Sequence, residues 1–533
     1  MDKRTGAWVF LIAVAGAALR IALAFWMYPW TGDPTYSYAY RGLLLADGQW
    51  HAAFQLWHPP GYPLMLGLLT KLSGGLISPY VWGTIVSIVC YLALVIVIDR
   101  LVAPRTQWPS TRIAVASFLA FYETLFIWAT GPLTEPPYLF LLYAAVWMVD
   151  RERIGPARSF FMGGLLGLAC TMRLEGLAPF FGLVVFVTVR AALGPGRLCK
   201  ASGIAFSATL GLLVTFGWML FFPEYLRASR EVYQGAVTIP PAQGVVGNLV
   251  RFAECVYHAC TVWLPFALLL PYWVFLAIGL THPASAAGKA SLHGLLLAVT
   301  VPSLVAVALS VMHKRTASFL FPAAGVWFGL GLEVIAARLA LDRTRRGLAV
   351  VLSLAIALNL AQASRILYHL RSSSPRTTSN PASYVAARLL SEYAAEVGPV
   401  WAFKSEPEVY AFWGQPLYCS VWDGDSGYSS LYAKNQHNPE GFVEELRQSG
   451  FKYLTFVLSE RPKPDNSDIE PQQYAQPFHN SSYGVPLRSD LCALIKDCNT
   501  NGLELLGERA GSITIIDEGT RNCNVYLFRI LHR

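Results

Sequence analysis

The chain has 533 residues, 54% of them hydrophobic and 13% aromatic, with only 14% charged and a formal net charge of +8. A soluble protein of this length carries about 25% charged residues, so a soluble enzyme is excluded and a polytopic membrane protein is expected. The basic residues sit in short clusters between apolar runs, which excludes nucleic acid as a partner and matches the charge bias that sets membrane topology.

Lys3 and Arg4 lead an apolar run that continues to Tyr28 and leaves through F-W-M-Y-P-W. A cleaved signal has a shorter core and a small-residue cleavage site, so this is read as a retained span with an aromatic anchor. The next stretch, Trp30 to Leu64, carries Asp33 just past the expected membrane edge and closes on His58-Pro59-Pro60 before the chain turns back towards lipid. Asp before Pro is also a common helix start. Capping and catalysis are compatible there, because a helix N-terminus keeps a carboxylate ionised.

A membrane span needs roughly 20 mostly apolar residues. Runs that qualify lie at 6–28, 79–98, 111–129, 136–149, 158–172, 176–192, 203–222, 256–279, 290–311, 318–336 and 347–367. The fold expected is therefore a polytopic α-helical membrane protein with about 11 transmembrane helices. If each run crosses, Lys3, Arg4, Arg100, Arg105, Arg112, Arg151, Arg153, Arg158, Arg190, Arg197, Lys200, Lys289 and the Arg338–Arg346 cluster share one side. Positive charge marks that side, and the N terminus with it, as cytoplasmic. Asp33, Glu135, Arg173, Lys314 and Arg315 then reach the opposite face, where charge beside a span is costly unless it has a partner or a task.

Each of these has a structural reading and a chemical one. Glu135 lies in T-G-P-L-T-E-P-P-Y, with Thr134 as a cap and Glu135 as a first-turn acid favoured by the helix dipole. Glu123, inside an apolar run, is expected to pair within the bundle. Arg173 and Glu175 in T-M-R-L-E-G interrupt two apolar runs, either as an ion pair or as a phosphate site built on the guanidinium fork. His313-Lys314-Arg315 is either an exposed turn or an anion site, and its charge on the outer face favours the anion. His58, beside Trp57 and Tyr62, suits a lipid headgroup boundary as well as a substrate wall. The long 223–255 connection, with Pro240-Pro241, is of the kind that acts as a lid or substrate wall.

Beyond Tyr368 the composition turns polar. The chain divides into a membrane domain, 1–370, a linker, 371–381, and a C-terminal extracytoplasmic domain, 382–533, of α/β or α+β class. Helices are expected over V-A-A-R-L-L-S-E-Y-A-A-E-V and over F-V-E-E-L-R-Q-S-G, the latter closed by Gly450, and strands over V-W-A-F and Y-L-T-F-V. Of nine cysteines, Cys90, Cys170, Cys199, Cys255 and Cys260 lie in or beside apolar runs. Cys419, Cys492, Cys498 and Cys523 lie in the polar region, where two disulfides have three connectivities.

G-D-P-T-Y at Gly32 to Tyr36, H-P-P-G-Y-P-L from His58, L-T-E-P from Leu133, R-L-E-G from Arg173 and R-T-A-S-F-L-F-P from Arg315 follow one another along the membrane part. In that order they resemble the GT-C superfamily of membrane glycosyltransferases. The resemblance is to the bacterial branch similar to protein mannosyltransferases and to the aminoarabinose transferase of lipid A. It implies a polyprenyl-phosphate-linked sugar as donor and a lipid, polysaccharide or protein hydroxyl as acceptor. Asp33 matches the family's acid/base candidate and Glu135 its second acidic residue. The available cations for the leaving phosphate are Arg173, Lys314 and Arg315, and Tyr36, His58, Tyr62, Glu175 and His313 line the substrates. Thr316 stands where the family has an aromatic. A divalent metal ion between acidic residues and a histidine is a candidate cofactor, as in some relatives. One displacement predicts inversion at the sugar, in the cytoplasmic membrane with the C-terminal domain periplasmic or extracellular.

Two other classes compete. A transporter or flippase for an anionic or lipid-linked substrate also has many spans, but favours inverted repeats and midplane charges, and no repeat is visible. A receptor or assembly protein anchored by its spans would not need its charged residues to converge.

Overall fold

The computed structural model describes residues 3–27, 38–48, 59–121, 129–151, 154–193, 197–221, 270–309, 318–338, 382–393, 400–402, 417–419, 439–459, 502–515 and 519–531, less a few isolated positions. Asp33, Tyr36, His58, Glu123, His313, Lys314, Arg315, the 223–255 connection, the 347–367 run and the 371–381 linker lie outside them. The chain forms two compact units. One comprises Met1–Phe25, Trp57–Met65 and Val81–Leu370, the other Trp26–Leu56, Leu66–Tyr80 and Arg371–Arg533.

The first unit is a helical bundle. Its helices are α1 (Lys3–Met27, whose last two residues fall to the other unit), α4 (Pro79–Val102), α5 (Pro109–Phe121), α6 (Glu135–Met148), α7 (Pro156–Met172), α8 (Leu177–Ala192), α9 (Arg197–Phe216), α10 (Leu270–Gly279), α11 (Leu292–Leu309) and α12 (Leu320–Arg338). Two shorter helices, α2 (Tyr40–Ala46) and α3 (Gly61–Leu72), lie before α4. Among the described residues five helices are long and apolar enough to cross a membrane, and the chain is a multi-pass membrane protein. Phe25, Phe161, Phe181, Val185 and Phe206 stand exposed, as lipid-facing side chains do. In α12 every residue from Leu320 to Glu333 is buried, the mark of a helix apolar on all sides and packed at the centre of a bundle.

Glycines set the closest helix contacts. A Cβ on Gly331 would run into the Phe275 carbonyl oxygen, and one on Gly279 into that of Trp327, so α10 and α12 touch backbone to backbone. Gly163 and Gly211 do the same for α7 and α9, against Ala208 and Phe160. Small residues at such crossings give packing that lipid tails cannot. Gly331→Val is expected to cost about 1–3 kcal/mol by overpacking, read as a lower unfolding midpoint of the purified chain in detergent.

Two expectations change. Residues 61–72 form a helix where the chain was expected only to turn back. Pro60 supplies the carbonyl for the Leu64 N–H, at 2.8 Å, and the twelve-residue helix is, at about 18 Å, too short to cross. Of the expected 111–129 run, the part to Phe121 is helical, within Pro109–Phe121, and residues 122–128 lie outside the described residues. Thr134 precedes α6 but makes no side-chain cap, because Pro136 and Pro137 remove N–H groups that a cap would serve.

In the second unit, α2 packs on the later part of α3 through Gly42 and Gly67. Beyond Arg371, α13 (Ala382–Tyr393), β1 (Val400–Ala402), β2 (Leu417–Cys419), α14 (Pro439–Gln448), β3 (Tyr453–Ser459), β4 (Leu503–Ile515) and β5 (Gly519–Ile530) build a five-stranded sheet of order β2-β1-β3-β5-β4. β1 lies parallel to β2 and β3, and β5 antiparallel to β3 and β4. Gly450 ends α14 at φ +79°, with the Phe451 N–H reaching back to Leu446, as its sequence predicts. The β4–β5 hairpin was not foreseen. Cys419 and Cys523 fall on β2 and β5, while Cys492 and Cys498 lie outside the described residues; Cys90 and Cys170 are free thiols.

Candidate active site

Glu135 opens α6, and Arg173 follows the last residue of α7 in an extended conformation, φ −151° and ψ 124°, before a 3-10 turn at Leu174–Gly176. That break turns the Arg173 side chain to the start of α6. One terminal nitrogen donates to Glu135 Oε1 at 2.9 Å and to Thr134 Oγ1 at 3.4 Å; the other donates to Glu175 Oε1 at 3.0 Å. The Glu135 side chain is 0% exposed, Arg173 11% and Glu175 19%, so the cluster opens on the Glu175 side. The guanidinium fork lies between two carboxylates, a geometry that is stiff and electrostatically strong in a low-dielectric setting.

Two further motifs are brought to the same place. A Cβ on Gly61 would overlap Thr171, two residues before Arg173, so the backbone of the P-P-G-Y segment lies against the end of α7. Tyr62 is fully buried and its hydroxyl donates to the Gly83 carbonyl oxygen at 3.1 Å, beside Ser87, whose own hydroxyl donates to Leu133 O at 3.3 Å. Tyr62 therefore fixes the L-T-E-P segment to α4. That is a positioning contact, since its hydroxyl is already engaged by protein. Downstream of Arg315, the Phe319 carbonyl accepts from Tyr143 of α6 at 2.7 Å, which ties the entry of α12 to α6.

Beside Glu135, Tyr91, Leu94, Leu119, Ala129, Pro136 and Leu139 line a hollow that takes a water-sized guest at most. No set of three or more His, Cys, Asp or Glu side chains suited to a metal occurs among the described residues. The acid at the start of α6 turns Oε1 to a guanidinium, a cation where a metal ion would need a further oxygen or imidazole ligand. Asp33, the other acid that a divalent ion there would need, lies outside the described residues.

Sequence reasoning passed over Arg20. It is fully buried in α1, its guanidinium 3.7 Å from the centre of the Tyr91 ring, and it donates to the carbonyls of Gly16 and Ala120, both at 3.0 Å. Arg20 thereby ties α1 to α5, its charge met by backbone carbonyls inside the bundle. A single arginine late in an apolar run was the available signal.

About 22 Å along α6 from Glu135, by helix rise, a second polar cluster closes the other end of the bundle. Arg105 pairs with Asp150 and donates to Ala290 O at 2.8 Å, and Lys289 reaches Asp150 at 3.1 Å. Arg112 grips Asp99 through two bonds of 2.7 Å. Glu333 accepts from Thr106 and from Thr111, at 2.9 Å for the latter, with His282 Nε2 3.5 Å away. Its charges pair with one another, so this end reads as structural.

No family model matches the chain, and no curated protein matches it by sequence. Solved structures do. Over 98% of each chain it is similar to ArnT from Cupriavidus metallidurans, both bound to undecaprenyl phosphate and in the apo state, with a TM-score of 0.59 and 14% identity. It is also similar to the arabinofuranosyltransferase AftD from mycobacteria, at a TM-score of 0.50 and 14% identity, over 98% of this chain and 40% of that one. At such identities the likeness is one of fold. The chain has the fold of the GT-C membrane glycosyltransferases.

Proposed function

We propose that the chain moves a sugar from a polyprenyl-phosphate donor to a hydroxyl acceptor at the outer face of the cytoplasmic membrane, with inversion at the anomeric carbon. The observation that carries this reading is the Glu135–Arg173–Glu175 cluster, with the P-P-G-Y and L-T-E-P backbones against it, in a chain with this fold. The ArnT structure matched over almost its full length holds undecaprenyl phosphate, which supports the donor class. On this reading residues 1–370 form the catalytic membrane domain, 371–381 a linker and 382–533 an extracytoplasmic domain.

Asp33 takes the proton of the acceptor hydroxyl as its oxygen attacks the anomeric carbon. The bond from that carbon to the phosphate oxygen breaks on the opposite face, and polyprenyl phosphate departs with the electron pair. Negative charge growing on the leaving phosphate is held by Arg173, Lys314 and Arg315, and fixed cations aimed at developing charge are the strongest aid a site of this kind offers. Glu135 and Thr134 hold Arg173 in place. Tyr62 secures the loop that presents Glu135, and Tyr36, His58, Glu175 and His313 are assigned to the substrates.

The test is transfer by the purified chain in proteoliposomes supplied with polyprenyl-phosphate sugars, reading released polyprenyl phosphate and the glycosylated product. Glu135→Gln keeps the shape and removes the charge. It is expected to lower turnover by about 100-fold, the scale set by misplacing a catalytic group by about 1 Å, with helical content unchanged. If the wild-type chain releases no polyprenyl phosphate from any such donor, the proposal fails. Mass spectrometry of envelope glycolipids, polysaccharides and proteins from a strain lacking the chain identifies the acceptor.

A further inference from the structure

We infer that Tyr138 is a further residue of the donor site, and that its buried hydroxyl donates a hydrogen bond to a phosphate oxygen of the polyprenyl-phosphate donor. This rests on the reading that Arg173 meets that phosphate.

A buried hydroxyl is costly to leave unbonded. Two fully buried tyrosines of this bundle follow the rule: Tyr62 donates to the Gly83 carbonyl at 3.1 Å and Tyr143 to the Phe319 carbonyl at 2.7 Å. Tyr138 is 0% exposed as well, yet its hydroxyl meets no hydrogen-bond partner among the described residues. Native proteins satisfy nearly all of their buried polar groups, and one left unbonded raises the free energy of the fold. Packing alone would be served as well by phenylalanine, which has the same ring and no hydroxyl to satisfy.

The position of Tyr138 indicates its partner. It stands one turn after Glu135 on the same side of α6. Its hydroxyl lies within electrostatic reach of Glu175, Arg173 and Cys170. Cys170 belongs to the last turn of α7, and its sulfur is 3.0 Å from where a Cβ on Gly176 would stand. The phenol therefore lies against the inner side of the Leu174–Gly176 turn, beside the guanidinium that Glu135 and Glu175 hold. Glu175 stays with Arg173 at 3.0 Å and leaves the phenol unbonded. A guanidinium and a neutral phenol make a fitting pair for phosphate: the first brings charge, and the second a hydrogen bond without another ion to bury. Access lies across the Leu174–Gly176 turn, where the Gly176 N–H bonds Arg173 O at 3.0 Å and Leu174 and Glu175 are only half-buried. A single 3-10 turn has poorer hydrogen-bond geometry than an α-helix and gives way more readily. Phosphate arriving there satisfies a hydroxyl that folding left unbonded, which adds to donor affinity.

The experiment uses the full chain in nanodiscs, with undecaprenyl phosphate as the probe and undecaprenol as the phosphate-free control. Tyr138→Phe is expected to bind undecaprenyl phosphate about tenfold more weakly, the scale of one hydrogen bond to a charged group, with undecaprenol unchanged and the donor KM raised in step. With neither lipid added, its unfolding midpoint should equal or exceed that of the wild-type chain, because an unbonded buried hydroxyl has gone. Undecaprenyl phosphate should then raise the midpoint by less than in wild type. A lower midpoint means that the hydroxyl serves the fold, and it overturns the inference. So does unchanged affinity for undecaprenyl phosphate with a raised donor KM, which would assign the hydroxyl to the sugar. Arg173→Ala separates the two readings. If it abolishes binding while Tyr138→Phe binds as wild type does, the phosphate role of Arg173 stands and that of Tyr138 falls. If Arg173→Ala binds like wild type, both fall.

Discussion

Asp33→Asn is expected to reduce sugar transfer by about 10²–10⁴-fold, the usual contribution of a positioned general base. The amide is nearly isosteric and still caps a helix, so a purely structural Asp33 predicts little change in either expression or turnover. Transfer is therefore read beside donor binding, which should stay within about twofold of wild type, because a base acts on the acceptor proton in the transition state and not on ground-state affinity. The contrast with Arg173→Ala is the discriminating one: that variant should lose donor affinity, while Asp33→Asn should lose kcat. Unaltered turnover in Asp33→Asn would remove it from the mechanism and pass the role of base to another acid.

Asp150→Ala is expected to destabilise the chain by about 3–5 kcal/mol, the cost of leaving a buried ionic partner uncompensated. The Asp150 and Arg105 side chains are both 0% exposed, and Lys289 shares the same carboxylate at 3.1 Å. Removing the aspartate leaves two cations facing each other at the end of α6. Thermal unfolding in detergent should show the loss directly. Adding Arg105→Met should restore part of it, because replacing a buried ion pair with apolar side chains is often close to neutral. Turnover per folded molecule should change little, since this cluster lies at the end of α6 away from Glu135. Equal unfolding midpoints for wild type and Asp150→Ala would show that the pair contributes nothing to stability.

The membrane architecture was legible because lipid enforces it. A span needs a long apolar run and every backbone group satisfied within it, so the runs starting at 79, 136, 158, 176, 203 and 318 reappear as helices with ends shifted by a few residues. The C-terminal elements around Ala382, Val400, Pro439 and Tyr453 were legible through periodicity and the stop at Gly450. The β4–β5 hairpin was not, because Leu503–Ile515 mixes glycine and charge with β-formers, and its strands are stabilised by pairing across the sheet rather than by local preference.

Within the site, the residue types were readable and their partnerships were not. Arg173 beside Glu175 announced an ion pair or an anion site from two positions of spacing alone. That the same guanidinium also holds Glu135, 38 positions earlier, depends on the extended break after α7. Asp99, Asp150, His282 and Glu333 drew no notice, although together they fasten the opposite end of the bundle. Composition and the order of apolar runs decide that this chain is a many-pass membrane protein, since the cost of placing polar groups in lipid acts on each segment separately. Which charges meet is decided only by packing. A buried ion takes the partner that the helix ends bring within reach, and that choice is recorded in three dimensions rather than along the chain.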